Sequence, residues 1–163
     1  MTNYYDEIAQ GYEELHKEEQ LKKIEIIKQN ISIKKTDKLL DVGCGTGLTT
    51  EPWDCKRFGI DPSAKLLERA HQKDVIEYKK APAEDIPYPN EFFDIVISIT
   101  AIQNFDDIEK GLKEIKRVGK YRFVLTFLKR SEKRKNIEKM IGSLFKTEKI
   151  IEEDKDIIYF CSK

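Results

Sequence analysis

The sequence predicts an α/β domain with a mostly parallel sheet, and two features at a fixed spacing predict it. The first is Leu39-Leu40-Asp41-Val42-Gly43-Cys44-Gly45-Thr46-Gly47, a short apolar run interrupted by one acid and followed by glycines at alternate positions. Glycine tolerates backbone conformations and close approaches that a β-carbon forbids. A strand ending in such a loop can lay backbone N–H groups against a ligand. The second is Asp61, 18 residues beyond Gly43, at the end of the next strand-like segment. An acid about 20 residues past a glycine loop suits the two hydroxyls of a ribose. Together they predict a Rossmann-like domain that binds a nucleoside.

The glycine spacing separates two kinds of nucleoside. A dinucleotide fingerprint, G-x-G-x-x-G, brings backbone against a pyrophosphate. Here the third glycine comes one residue early, and Asp41 precedes the first by two. This pattern resembles motif I of the class I S-adenosylmethionine-dependent methyltransferases, in the form L-D-V-G-C-G-T-G. The resemblance implies that Gly43, Cys44, Gly45 and Gly47 line the cofactor, that Asp61 holds its ribose, and that Asp41 and Thr100 lie near its methionine end. NAD is not expected as a cofactor.

The remaining elements follow in order. Tyr4 to Tyr12 reads as a short helix with an aromatic-rich face, and Leu21, Ile24, Ile27 and Ile31 recur at helical spacing, predicting an amphipathic helix over residues 19–30. The opening Y-D-x-I-A-x-x-Y resembles the segment that folds over the cofactor in methyltransferases similar to the ubiquinone and menaquinone biosynthesis enzymes. That resemblance makes residues 1–31 lid helices, with Tyr12 and Tyr5 as lid residues; packing of the first helix onto the core is the plainer reading. Lys38 to Val42 is the first strand and Lys56 to Ile60 the second. Between them, residues 48–55 allow a crossover helix of barely two turns, shortened further by Pro52. Ser63 can cap a helix through Leu66, Leu67 and Ala70. Val75 to Lys80 is a third strand.

Ala81-Pro82-Ala83-Glu84-Asp85-Ile86-Pro87-Tyr88 resembles the family's adenine loop, commonly G-D-A-E-x-L-P-F. By that resemblance the Ala83 N–H meets an adenine ring nitrogen and Glu84 takes part. Pro82 stands where the family usually has an acid. Phe92 to Thr100 is a near-continuous β-branched run, as expected of a central strand buried on both faces. Asp106 or Asp107 can cap a helix carrying Ile108, Leu112 and Ile115. Gly111 inside it suggests close approach to another backbone. Lys120 to Leu128 is the fifth strand. Ser131 opens a last helix with Ile137, Met140, Ile141 and Leu144 as its stripe. Two β segments, Lys146 to Glu152 and Asp156 to Cys161, close the chain. The resemblance implies that they form a hairpin, making a mostly parallel seven-stranded sheet with one antiparallel strand, in a single domain over residues 1–163.

Composition bounds the function. With 30 basic and 30 acidic residues, bulk charge gives no push towards nucleic acid or membrane. A charged fraction of 37% fits either the ion-pair-rich surface of a thermophile protein or an ordinary solvated surface. Three cysteines without metal-ligand spacing and two histidines argue against a metal site. No signal-like segment and no membrane-length apolar run is visible, so a reducing, cytoplasmic location is expected.

Methyl transfer from a sulfonium needs positioning above all, and a base only if the nucleophile must lose a proton. Ser98-Ile99-Thr100-Ala101 lacks the Asn/Asp-Pro-Pro-aromatic tetrad of amide and amino N-methylating enzymes, and no cysteine follows the fourth strand as in cytosine-C5 enzymes. Gln103 and Asn104 can either position an acceptor or cap the following helix. The basic run Lys129 to Lys135 can meet phosphates or simply solvate a helix start. The expected activity is methyl transfer to a small molecule, a protein side chain or a tRNA base; the alternative is a non-catalytic cofactor-binding or scaffold subunit. The stunted 48–55 segment and Trp53 within it suggest an interface, with a homodimer or, by family analogy, a small activator subunit.

Overall fold

The structure is a computed structural model. It describes residues 2–71 and 75–163, and of residues 2–10 and 12 the backbone alone. The chain divides into two compact units, Met1–Ser32 and Ile33–Lys163. The first is one helix, α1 (Thr2–Asn30), rather than two. No proline interrupts it, and the single Gly11 lies among Glu, Lys and Leu, which favour helix strongly enough to carry it through. Of its predicted stripe, Ile24 and Ile27 are buried. Tyr5 and Tyr12, expected as lid residues, fall outside the described side chains.

The second unit is a seven-stranded sheet: β1 (Lys38–Val42), β2 (Lys56–Asp61), β3 (Glu77–Lys80), β4 (Phe93–Ser98), β5 (Gly119–Leu128), β6 (Lys146–Glu152) and β7 (Asp156–Ser162). Their order is β3-β2-β1-β4-β5-β7-β6. The first five strands pair parallel, while β7 runs antiparallel to both β5 and β6. Six strands therefore point one way and β7 alone the other, as the C-terminal hairpin predicts. The central strands are apolar on both sides because both faces are covered: Leu39, Leu40, Ile95, Val96 and Ile97 are fully buried.

Helices α2 (Ala64–Ala70), α3 (Ile108–Val118) and α4 (Arg134–Leu144) complete the unit. Ser63 caps α2 through its hydroxyl, and Asp107, not Asp106, caps α3. A β-carbon on Gly111 would lie 2.6 Å from the Phe105 ring, so the close approach there is to a side chain and not to another backbone. Between β1 and β2 no helix forms at all, only turns. Thr49 and Thr50 spend their hydroxyls on Asp41, and Pro52 removes a helical donor. Trp53 is 4% exposed and its indole N–H donates to the Thr49 carbonyl. The segment thus turns its tryptophan inward. Among the described residues no helix is long and apolar enough to cross a membrane.

Candidate active site at the strand carboxyl ends

Parallel strands bring their carboxyl ends to one edge of the sheet, where open α/β sheets bind ligands. At the end of β1 the chain enters a loop in which Gly43, Gly45 and Gly47 all have left-handed φ, +80°, +54° and +85°. That conformation costs an L side chain roughly 1–2 kcal/mol. Space is the second reason for two of them. A β-carbon on Gly43 would lie 2.7 Å from Cβ of Ala101, and one on Gly47 would run into the Tyr78 hydroxyl. Gly45 differs, since its nearest neighbour would be Leu66 at 3.9 Å.

The loop's donors point inward. The N–H groups of Gly43 and Cys44 donate to the Ile60 carbonyl, that of Gly47 to the Cys44 carbonyl, and that of Gly45 to Oδ2 of Asp61. The expectation that this loop lays its N–H groups bare is therefore corrected for these four residues. It leaves one carbonyl oxygen instead: among the described residues the Gly43 carbonyl accepts no hydrogen bond, while those of Cys44, Gly45 and Gly47 do.

Two acids brace the loop from below. Asp41 is completely buried; its Oδ2 accepts from the hydroxyls of Thr49 at 2.7 Å and Thr50 at 2.8 Å, and Oδ1 has no hydrogen-bond partner among the described residues. Burial raises its carboxyl to about 6, the two threonines pull it partly back, and the charge of Asp61 pushes the same way as burial. Asp61, 8% exposed at the end of β2, accepts from Gly45 N–H at 2.9 Å and from Ser63 N–H at 2.8 Å. It thereby couples the glycine loop to the start of α2.

The loop after β3 carries Ala83 and Glu84. Ala83 is buried, and its N–H makes no hydrogen bond among the described residues. Glu84 accepts from the Asp107 N–H at 2.9 Å. Arg117 of α3 pins this loop from behind, donating to the Ile86 and Tyr88 carbonyls, to Asn90 and to both oxygens of Glu114. The Arg117 hydrogen bond holds the Glu114 carboxyl below its usual range.

After β4, Thr100 sits at φ +55°, a conformation a β-branched residue adopts only under constraint. Its N–H donates to Thr126 Oγ1 and its hydroxyl to Asp156 Oδ2, which also receives the Thr126 hydroxyl. Gln103 is spent on the fold: its amide donates to the Thr100 carbonyl and accepts from the Leu128 N–H. Asn104 is exposed beside it. In the basic run, Lys129 pairs with Glu152, Arg134 with Glu138, and Lys133 donates to the Gln103 carbonyl. Burial raises the thiols of all three cysteines, Cys55 to about 11 and Cys161 to about 12, so none is a thiolate nucleophile at neutral pH.

The loops thus assemble Asp41, Gly43, Cys44, Gly45, Gly47, Asp61, Ala83, Glu84 and Thr100 along the carboxyl ends of β1 to β4. Three contributors escape the sequence reading: Ala101 against Gly43, Tyr78 against Gly47, and the Thr126–Asp156 pair behind Thr100. For Asp156 one signal is visible, a charged residue opening the apolar run Ile157-Ile158-Tyr159-Phe160.

Residues 40–122, half of the chain, match the methyltransferase domain family. The ubiquinone/menaquinone biosynthesis C-methyltransferase of Campylobacter jejuni is 32% identical over 117 residues, 63% of this chain and 50% of that protein. The chain spans about half the length of the curated relatives it matches. Among solved structures, a SAM-dependent methyltransferase of Thermotoga maritima superposes with a TM-score of 0.76 at 20% identity, covering all of both chains. A Haloferax volcanii methyltransferase solved in complex with the Trm112 methyltransferase activator gives 0.69 at 14% identity, over 81% of this chain and 84% of that one. The glycine loop, the acid after the second strand and the antiparallel seventh strand thus have one common explanation: the chain belongs to the methyltransferase domain family.

Proposed function

We propose that this chain binds S-adenosylmethionine at the carboxyl ends of β1 to β4 and transfers its methyl group to an acceptor by in-line displacement. The observation that carries the reading is the loop of three left-handed glycines between two buried acids, with a wall of Ala101 that leaves no room for a β-carbon on Gly43. When bound, the cofactor supplies a methyl group on a sulfonium, whose departure leaves a neutral thioether. The protein's work is then to bind, orient and exclude water. In this reading the second lone pairs of the Asp61 oxygens take the ribose hydroxyls, the Ala83 N–H meets the adenine ring, and Glu84 lies beside it. The Gly43 carbonyl accepts from the methionine ammonium, with the buried Asp41 carboxylate below, and Thr100 flanks that end. Asn104, beside the structurally committed Gln103, faces the acceptor side. A second copy of the chain or a small activator subunit completes the acceptor site, supported by the neighbour solved with an activator.

Calorimetry tests the cofactor. S-adenosylmethionine or S-adenosylhomocysteine should bind saturably and NAD should not. Asp61→Ala should weaken binding by about 1.5–3 kcal/mol, the range of charge-assisted hydrogen bonds. Equal affinity for wild type and variant would remove Asp61 from the site. Incubation with methyl-labelled cofactor and fractionated cell extract then reads the acceptor class from whether label appears in RNA, protein or low-mass material.

A further inference from the structure

We infer that Asp156, on the antiparallel strand β7, is a positioning residue for the cofactor pocket, acting through Thr126 and Thr100 on the wall that Ala101 sets against Gly43. The inference rests on the cofactor reading above. Asp156 opens β7 opposite Leu128 of β5, so Thr126, two residues earlier on β5, is its diagonal neighbour on the same face. Asp156 is fully buried, and its Oδ2 accepts from Thr126 Oγ1 at 2.8 Å and from Thr100 Oγ1 at 2.6 Å. The Thr126 oxygen in turn accepts from the Thr100 N–H at 2.8 Å. Side chain and backbone of Thr100 are thus both held from the β5–β7 side.

The residue so held is the one with a left-handed φ among the non-glycine residues around the site. Such a conformation persists only where the surroundings over-determine it. Its consequence is local and specific. The turn at Thr100 sends Ala101 back to the glycine loop, close enough to exclude a β-carbon from Gly43. Asp156 is itself anchored: its N–H donates to Glu153, whose N–H donates back to the Asp156 carbonyl. The hairpin that closes the sheet therefore also fixes the distance between the loops after β1 and β4. Released from Asp156, Thr100 relaxes towards negative φ, and Ala101 leaves its place.

The test is a double-mutant cycle read by calorimetric affinity for S-adenosylhomocysteine, with circular dichroism confirming that each variant is folded. Asp156→Ala should weaken binding by about tenfold, since restoring the turn draws on the binding energy. Glycine adopts the left-handed turn without a clamp, so in a Thr100→Gly background the same Asp156→Ala change should alter affinity by less than about threefold. A role of Asp156 confined to the stability of the β5–β7 pair would give the same loss in both backgrounds, and that result overturns the inference, as does wild-type affinity in Asp156→Ala. If Asp156→Ala does not fold, Thr126→Val carries the same comparison with the same two outcomes, because it deletes the bridging hydroxyl and keeps the side-chain volume. Failure of the wild-type chain to bind S-adenosylhomocysteine is a different result: it overturns the cofactor reading, and this role with it.

Discussion

At the scale of single residues, the three glycines of the loop are not equivalent. Gly47→Ala adds both a left-handed penalty and a clash with the buried Tyr78 ring, so it should cost stability by more than about 3 kcal/mol in denaturant unfolding. Gly45→Ala meets only the Leu66 side chain, at an ordinary contact distance of 3.9 Å, and should cost only about 1–2 kcal/mol; in the cofactor reading proposed above, its methyl group would come between the loop and the ligand. The expected signature is a folded Gly45→Ala protein with lost cofactor affinity beside a poorly folded Gly47→Ala protein. Asp41 makes a second residue-scale prediction. Its folded carboxyl is raised to about 6 from an unfolded value near 3.8. Between these values the native state binds more protons than the unfolded chain, so Asp41 lowers stability as pH rises from about 4 to about 6, and the loss is complete above that. Two units correspond to about 3 kcal/mol. Asp41→Asn should therefore match wild type near pH 4 and exceed it by up to about 3 kcal/mol at pH 7. A stability difference that does not change with pH would refute the assignment of this titration to Asp41.

At the scale of elements, the loop after β3 depends on a helix it precedes in sequence. Arg117 of α3 ties the Ile86 and Tyr88 carbonyls and Asn90 to Glu114, and Glu114 also accepts the Ile86 N–H. A planar fork of five donors makes these bonds at once, which a lysine ammonium cannot reproduce. Arg117→Ala should cost about 2–3 kcal/mol by leaving buried carbonyls unsatisfied, and Arg117→Lys should recover little of it. Because Ala83 and Glu84 ride on the same loop, both variants should also bind the cofactor more weakly, although Arg117 lies behind the loop. Unchanged thermal unfolding of Arg117→Lys would show that charge alone holds the loop. This dependence could not be read from sequence. The loop itself was legible from Ala83-Glu84, and the helix from the spacing of Ile108, Leu112 and Ile115, but a bond spanning from residue 86 to residue 117 carries no local signal.

At the scale of the whole molecule, legibility follows the range of the interactions. The parallel sheet was readable because strands buried on both faces must be apolar throughout, and Phe93 to Ser98 states this directly. The closing hairpin was readable as two β segments around Asp154-Lys155, and its antiparallel pairing came with the family resemblance. Two local expectations gave way to tertiary context. The N-terminal segment was expected as two helices and is one, because nothing between Gly11 and Leu21 breaks a helix. The 48–55 helix is absent because its threonines and tryptophan serve Asp41 and the interior instead of a helical ladder. That second correction changes what is expected of the molecule in solution. An exposed Trp53 would have marked an interface, but the side chain is 4% exposed and bonded to the Thr49 carbonyl, whose own hydroxyl holds Asp41. Trp53 is thus an internal plug joined through one residue to the acid beneath the glycine loop. As the sole tryptophan it reports on itself. Its fluorescence should be well shielded from a soluble quencher, to the same degree at low and high protein concentration. Trp53→Ala should cost about 3–5 kcal/mol, as emptying a buried aromatic site does. Trp53→Phe keeps much of the volume and should cost less, chiefly the unmet Thr49 carbonyl at about 1 kcal/mol or more. A tryptophan that is open to quencher when dilute and shielded when concentrated would return this segment to the role of an interface.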